Sequence, residues 1–101
     1  MQEKELALQA TQILYDHRAQ DILGLRVAHL TVVTDYLVIA SGTNALHVRA
    51  LQEYLEEELE KKGVVRRRVE GEASGRWVVL DYGSVIVHLF HPEERAYYRL
   101  E

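Results

Sequence analysis

The 101-residue sequence contains no cysteine, only one proline, and no apolar segment long enough to cross a membrane. Without cysteine, neither a disulfide framework nor a thiolate zinc site can form, and a reducing compartment is the simpler assumption. A membrane span needs about 20 consecutive apolar residues. The N-terminal segment MQEKELALQA mixes both charges instead of placing a basic segment before an apolar one. We therefore expect a cytoplasmic protein that does not bind membranes.

The sequence also lacks an excess of basic residues, because 12 lysines and arginines face 16 aspartates and glutamates, for a net charge of −4. A negatively charged surface repels a phosphate backbone. We therefore expect no direct, sequence-specific binding to nucleic acid and favour a basic protein surface as the partner. Strand alternation would divide the basic run of Arg66, Arg67 and Arg68 between two faces. We interpret these charges as protection of an exposed edge strand against pairing with another chain.

Hydrophobic residues make up 48% of the chain and charged residues 28%, a composition typical of a globular protein with a packed core. A chain of this length fits one compact domain, because two separate cores would each be too small to be stable. We therefore predict a single domain over residues 1–101.

The N-terminal half predicts two helices and two strands. A first helix from Glu3 to Ala19 has apolar residues at three- and four-residue steps, namely Leu6, Ala10, Ile13 and Leu14. The segment LRVAHLT after Gly24 alternates like a strand, and the continuous run YLVIA predicts a second strand that is buried on both faces. A second helix starts after the turn SGTN, whose last residues can cap it, and ends at Gly63, with the buried stripe Val48, Leu51, Leu55 and Leu59.

The C-terminal half predicts three strands and a closing helix. VVRRRVEG, residues 64–71, forms a third strand, and WVVLDYGSVIVHLF, residues 77–90, forms a hairpin. Pro92 suits the first turn of a short helix, HPEERAYYRLE. Together these elements predict an α+β fold, in which a mixed sheet of about five strands has flanking helices.

The hairpin has two chemically different faces. A two-residue loop, either Tyr82-Gly83 or Gly83-Ser84, would place Val78, Leu80, Tyr82, Val85, Val87 and Leu89 on one face. The opposite face would carry Trp77, Val79, Asp81, Ile86, His88 and Phe90. The first set is typical of an aliphatic core.

Asp81 on the second face must be paired or hydrated, because burying an unpaired carboxylate costs several kcal/mol. In one interpretation, Trp77 and Phe90 pack under the closing helix while Asp81 makes a hydrogen bond at the turn. In the other, this face is a docking surface, since tryptophan ringed by charge is typical of an interface anchor. Both interpretations stay open.

Several short segments are distinctive in combination. The hairpin contributes Gly75, Trp77, the run Leu80-Asp81-Tyr82-Gly83, Val87-His88 and Phe90. Elsewhere the chain has Thr34-Asp35-Tyr36 leading into VIASG, then His47-Val48, Glu70-Gly71, and the closing Arg95, Tyr98, Leu100 and Glu101. These segments resemble the signature of the ribosomal silencing factors, also called Iojap-like proteins. The family usually has an aspartate in place of Ser84, and its members often continue past Glu101 with a tail that ends in an aromatic residue.

The resemblance implies a translational repressor that binds the large ribosomal subunit at ribosomal protein L-fourteen and so blocks association with the small subunit. It also implies a nucleotidyltransferase-like fold without the catalytic carboxylates, and a homodimer when free. The candidate contact residues are Trp77 as apolar anchor, Asp81 and Glu70 as acceptors for lysine or arginine, and Tyr82, His88 and Asp35 as supporting polar groups.

The alternative functions are nucleotidyl transfer and an unassigned protein-interaction domain. Nucleotidyl transfer would need carboxylates two residues apart on a strand, and the sequence contains no Asp-x-Asp. Among the histidines, the spacing of His88 and His91 directs them to opposite faces of a strand. We interpret His29 as a strand residue, His47 as a first-turn helix residue and His17 as solvated surface. We therefore predict no catalysis, no cofactor and no metal site.

Overall fold

The elements follow the order helix, strand, strand, helix, three strands, helix. The computed structural model describes residues 1–71 and 74–98. Its helices are α1 (Glu3–Asp16), α2 (Ala45–Lys61) and α3 (Pro92–Tyr98), and its strands are β1 (Gln20–Arg26), β2 (Tyr36–Ser41), β3 (Arg68–Glu70), β4 (Trp77–Asp81) and β5 (Val85–Phe90). The predicted α+β class and the predicted order of elements are confirmed.

The strands form one five-stranded sheet in the order β1-β2-β5-β4-β3. Strands β2 and β5 are parallel, and the other neighbouring pairs are antiparallel. The central strands are the most buried, and Val38, Ile39 and Ala40 of β2 have no exposed surface. This confirms the prediction that the apolar run in β2 is buried on both faces.

Helices α1 and α2 cover one face of the sheet, because each presents a continuous apolar stripe. The predicted stripes are confirmed: the α1 residues Leu6, Ala10, Ile13 and Leu14 and the α2 residues Val48, Leu51, Leu55 and Leu59 are all buried. They share one core with Val78, Leu80, Val85, Val87 and Leu89 of the hairpin. At about 1.5–3 kcal/mol per buried large aliphatic side chain, this core is the main source of stability.

The first strand and the helix before it end earlier than the sequence pattern predicts. Helix α1 stops at Asp16 instead of Ala19, and Arg18 adopts a φ of 67° that ends the helical path. Strand β1 then spans Gln20–Arg26, so the predicted strand after Gly24 is largely wrong. The amides of Val27 and Ala28 both donate to the Asp35 carbonyl, at 2.8 and 3.1 Å, which closes a loop. His29 is therefore an exposed loop residue and not a strand residue.

Two loops were predicted for the β4–β5 hairpin, and the structure has the second of them, Gly83-Ser84. The Tyr82 amide donates to the Val85 carbonyl at 2.9 Å, so these two residues close the turn. Gly83 has a φ of 84°, a conformation that favours glycine. The pairs Trp77–Phe90, Val79–His88 and Asp81–Ile86 follow from this register, and they confirm the predicted division of side chains between the two faces.

Strand β3 is short and lies at the sheet edge, as expected for the segment with three consecutive arginines. Only Arg68, Val69 and Glu70 belong to it, so the predicted strand over residues 64–71 is too long. Helix α3 confirms the closing helix as far as Tyr98, and the predicted positions 99–101 lie outside the described residues.

Candidate functional site: the open face of the sheet

The sheet face opposite α1 and α2 is only partly covered. Alternation along the paired strands brings together side chains of β2, β3, β4 and β5 on this side. We call it the open face, and define it by Leu37 of β2, Arg68 and Glu70 of β3, Trp77, Val79 and Asp81 of β4, and Ile86, His88 and Phe90 of β5.

Helix α3 covers one end of the open face. Arg95 of α3 donates to Ser41 Oγ at 3.1 Å, and Glu94 contacts Arg76, just before β4, at 2.7 Å. Phe90 at this end has no exposed surface, whereas Trp77 and His88 are half-buried. The hairpin part of the open face, from Trp77 and His88 to the turn end, is therefore partly accessible, whereas Ile39 of β2 beside His88 has no exposed surface.

Three rings form a cluster on the open face. The Trp77 and Phe90 ring centroids lie 5.0 Å apart with planes inclined by 29°, and the Trp77 and His88 centroids lie 6.0 Å apart. Trp77 Nε1 donates a hydrogen bond to His88 Nδ1 at 3.0 Å. Burial lowers the pKa of His88 below its ordinary value, because the imidazolium would lose hydration there. The structure thus brings together two of the predicted site residues, Trp77 and His88.

Asp81 lies on the same face as Trp77, with a quarter of its side chain exposed. Its Oδ1 accepts a hydrogen bond from the Gly83 amide at 2.8 Å. Its Oδ2 lies 3.8 Å from Nη2 of Arg68, which is largely exposed. The expectation that Asp81 is either paired or hydrated is met by both contacts, and the local bond at the turn matches the first of the two interpretations.

Glu70 and Asp35 occupy two different parts of the site. Glu70 is exposed on β3 and pairs in register with Val79, which places it on the open face. Asp35 precedes β2, and its amide donates to the Ser84 carbonyl at 3.0 Å. Asp35 therefore lies beside the hairpin turn, at the end of the sheet away from Trp77.

Tyr82 is not brought together with the other candidates. Only 7% of it is exposed, and it packs into the core beneath α2, on the face opposite Trp77. Its hydroxyl is buried with no hydrogen-bond partner within residues 1–71 and 74–98. Burial and the nearby carboxylate of Glu56 raise the pKa of Tyr82. An inaccessible side chain cannot make a first contact with a partner, so Tyr82 is not part of the open face.

A second polar cluster, around His17, was missed. His17 Nε2 lies 2.6 Å from Glu58 Oε2, and its ring stacks on Tyr54 at a centroid distance of 3.8 Å. His47 Nε2 lies 3.0 Å from the His17 carbonyl oxygen. The prediction that His17 is solvated surface is wrong, because α2 packs beside the end of α1. Local spacing contained no signal for a contact between residues so distant in sequence.

Residues 1–71 and 74–98 contain neither a metal-binding cluster nor a membrane-spanning helix. That part of the chain holds no group of three or more histidine, cysteine, aspartate or glutamate side chains placed to bind a metal ion. His91 instead caps α3, where its Nδ1 accepts from the Glu93 amide at 3.2 Å. No helix in the same residues is long and apolar enough to span a bilayer.

Comparison with known proteins identifies the family. A family model described as "Ribosomal silencing factor during starvation" matches residues 1–101. The chain belongs to this ribosomal silencing factor family. The family members named ribosomal silencing factor are regulators of translation and not enzymes. Membership of the family supports a ribosome-associated silencing role for this chain.

Similar proteins come from bacteria and from an animal. Ribosomal silencing factor RsfS of Bacillus subtilis is 36% identical over 101 residues, which are 100% of this chain and 86% of that protein. Mitochondrial assembly of ribosomal large subunit protein 1 of Mus musculus is 35% identical over 92 residues, which are 88% of this chain and 40% of that protein.

Solved structures show the same fold. A crystal structure of a Chromobacterium violaceum protein matches with a TM-score of 0.96 and 34% identity, and covers 100% of this chain and 84% of that one. A Bacillus halodurans structure matches with a TM-score of 0.81 and 33% identity, over 96% of this chain and 88% of that one. The fold of this silencing-factor family member is therefore that of its relatives.

Proposed function

We propose that this protein represses translation in the cytoplasm by binding the large ribosomal subunit at ribosomal protein L-fourteen, so that the small subunit cannot join. The observation that carries the proposal is the open face, where Trp77 is only half-buried beside the end that α3 covers, and the carboxylates of Asp81 and Glu70 lie farther along the same face. Family membership supports the ribosome as the partner.

Trp77 has the properties of an interface anchor. Its indole already packs against Phe90, so its orientation is restricted before binding. A large, restricted ring buries much apolar area at a small entropic cost, and such residues dominate the energies of many interfaces. A flat subunit protein could cover the rest of the indole.

The charges of the open face suit a basic partner. Arg68 contacts Asp81 at 3.8 Å and Glu70 at 3.9 Å, and its side chain is 70% exposed. Exposed ion pairs of this kind contribute about 1 kcal/mol or less, so lysine or arginine of a partner could replace Arg68 at low cost. The net charge of −4 would also speed encounter with a basic protein surface.

Two substitutions on the open face test the proposal. Trp77→Ala should weaken co-sedimentation with large subunits about thirtyfold, the value for an anchor that contributes about 2 kcal/mol. Asp81→Ala should weaken it less, and both variants should lose the block on subunit joining. Purified subunits, light scattering and sucrose gradients provide the measurements.

Matched controls lie on the helical side of the molecule. Tyr15→Ala removes an exposed aromatic ring of α1, and Glu57→Ala removes an exposed carboxylate of α2. Both should bind and block joining like the unmodified protein. If folded Trp77→Ala and Asp81→Ala also behaved like the unmodified protein, the open face would not be the ribosome-binding surface.

We also propose a homodimer of the free protein, formed through the open face. Partly exposed rings beside apolar Leu37, Val79 and Ile86 are a surface that a second copy could cover. The same surface cannot meet the ribosome at the same time, so the dimer must dissociate on binding.

A further inference from the structure

The hydrogen bond from Trp77 Nε1 to His88 Nδ1 determines the state of both rings. It is 3.0 Å long and lies in the half-buried middle of the open face. Because Nδ1 accepts this bond, the neutral imidazole must carry its proton on Nε2. The indole N–H is engaged, and His88 Nε2–H is the remaining donor of the pair.

We propose that His88 is a positioning residue, whose Nδ1 holds the indole of Trp77 in the one orientation that binds the ribosomal partner. The partner then contacts Trp77 through the ring face and carbon edge, with an aliphatic or cationic side chain, and not through the indole N–H. This inference rests on the proposed function, because it assigns the chemistry of the same surface.

The packing explains why a hydrogen bond is needed in addition to the ring stack. Phe90, 5.0 Å from the indole, restricts the tilt of the indole plane. A half-turn about the bond that joins the indole to its Cβ would leave the plane almost unchanged, so stacking alone selects weakly between two orientations. Only one of them directs Nε1 toward His88, which pairs in register with Val79. The hydrogen bond therefore selects the edge that Trp77 presents.

The chain offers a clean probe, because Trp77 is its only tryptophan. Fluorescence emission and the indole N–H resonance in NMR spectra therefore report on this side chain alone. Three variants separate the two nitrogens of His88. His88→Asn places an amide oxygen near the Nδ1 position, His88→Gln places its amide near the Nε2 position, and His88→Leu has neither.

We expect the variants to divide by whether they keep a hydrogen-bond acceptor for the indole N–H. His88→Asn should keep the indole resonance and should bind large subunits within about twofold of the unmodified protein. His88→Gln and His88→Leu should shift the resonance and weaken binding about fivefold to tenfold, the effect of one lost hydrogen bond.

The free protein provides a pH readout. The charged side chains on the open face around His88 are Asp81 of β4 and Arg68 and Glu70 of β3. Strand β2 faces it with Ile39, and α3 brings Glu94 and Arg95 to the Phe90 end, where Glu94 pairs with Arg76. Protonation of Nδ1 removes the acceptor, and burial lowers the pKa of His88 from 6.5. The indole resonance should therefore shift only below that pH, and it should not shift in His88→Asn.

Several results would overturn the inference. Unchanged resonance or unchanged affinity in both His88→Gln and His88→Leu would show that His88 does not position the indole for binding. Equal losses of affinity in His88→Asn and His88→Leu would assign direct contact to Nε2 instead. Trp77→Ala is measured in parallel, since normal binding of that variant would reject the surface itself, whatever the His88 variants show.

Discussion

At the scale of single residues, Tyr82 shows how a shared motif can mislead. It lies beside Asp81 in the segment that resembles silencing factors, and sequence reasoning included it among the contact residues. Adjacent residues of a strand point to opposite faces, so Asp81 is on the open face and Tyr82 is in the core. Proximity in sequence therefore does not place the two side chains in one site.

The buried hydroxyl of Tyr82 leads to a stability prediction. Because it has no hydrogen-bond partner in the described part of the chain, its burial costs free energy that phenylalanine would not incur. Tyr82→Phe should leave the free energy of unfolding unchanged or raise it by up to about 1 kcal/mol. Urea unfolding measures this, with Tyr15→Phe on the exposed side of α1 as control. A loss of stability in Tyr82→Phe would contradict the prediction and reveal a partner for the hydroxyl.

At the scale of elements, the two long helices begin differently. Asn44 caps α2, because its side chain accepts from the His47 amide at 2.9 Å, whereas Gln2 makes no side-chain bond at the start of α1. The turn cluster before α2 predicted this cap from sequence. Local hydrogen bonds of this kind need only neighbouring residues, which is why sequence reasoning found it.

Removing the α2 cap should destabilise the protein measurably. Asn44→Ala should lower the free energy of unfolding by about 1 kcal/mol, while Asn44→Asp should retain most of it. Gln2→Ala is the matched control at α1 and should have no effect on urea unfolding. Equal losses for Asn44→Ala and Gln2→Ala would contradict the assignment of the cap.

Strand β1 is the element that sequence reasoning placed wrongly. The segment LRVAHLT after Gly24 alternates as a strand would, but the amides of Val27 and Ala28 donate to the Asp35 carbonyl in a loop. Backbone partners for an edge strand come from β2, so its position depends on where Tyr36–Ser41 lies and not on its own pattern. Alternation in a single segment could not determine this.

At the scale of the whole molecule, one face of the sheet forms the core and the other is the proposed binding surface. One face holds α1 and α2 and the core, and the other leaves Trp77, His88 and Asp81 partly accessible. If one surface serves both dimer and ribosome, a locked dimer should be inactive. The absence of native cysteine allows a single introduced thiol to test this without side reactions.

Val79→Cys on the open face should form a disulfide-linked dimer that does not block subunit joining, and reduction should restore the block. Glu57→Cys, on an exposed part of α2, is the control, because a dimer linked there leaves both open faces free. Gel analysis and light scattering report linkage and joining. A linked Val79→Cys dimer as active as the Glu57→Cys dimer would reject a shared surface.

The sequence by itself determined the helical stripes, the α2 cap, the presence of the hairpin and the chemical difference between its faces. These features depend on periodicity and on contacts between near neighbours. Only the tertiary structure decided the strand order, the position of β1, the His17–Glu58 contact and the pairing of Trp77 with His88. Each of these joins residues that lie far apart along the chain or on different strands, so its energy depends on how the whole sheet and its helices pack.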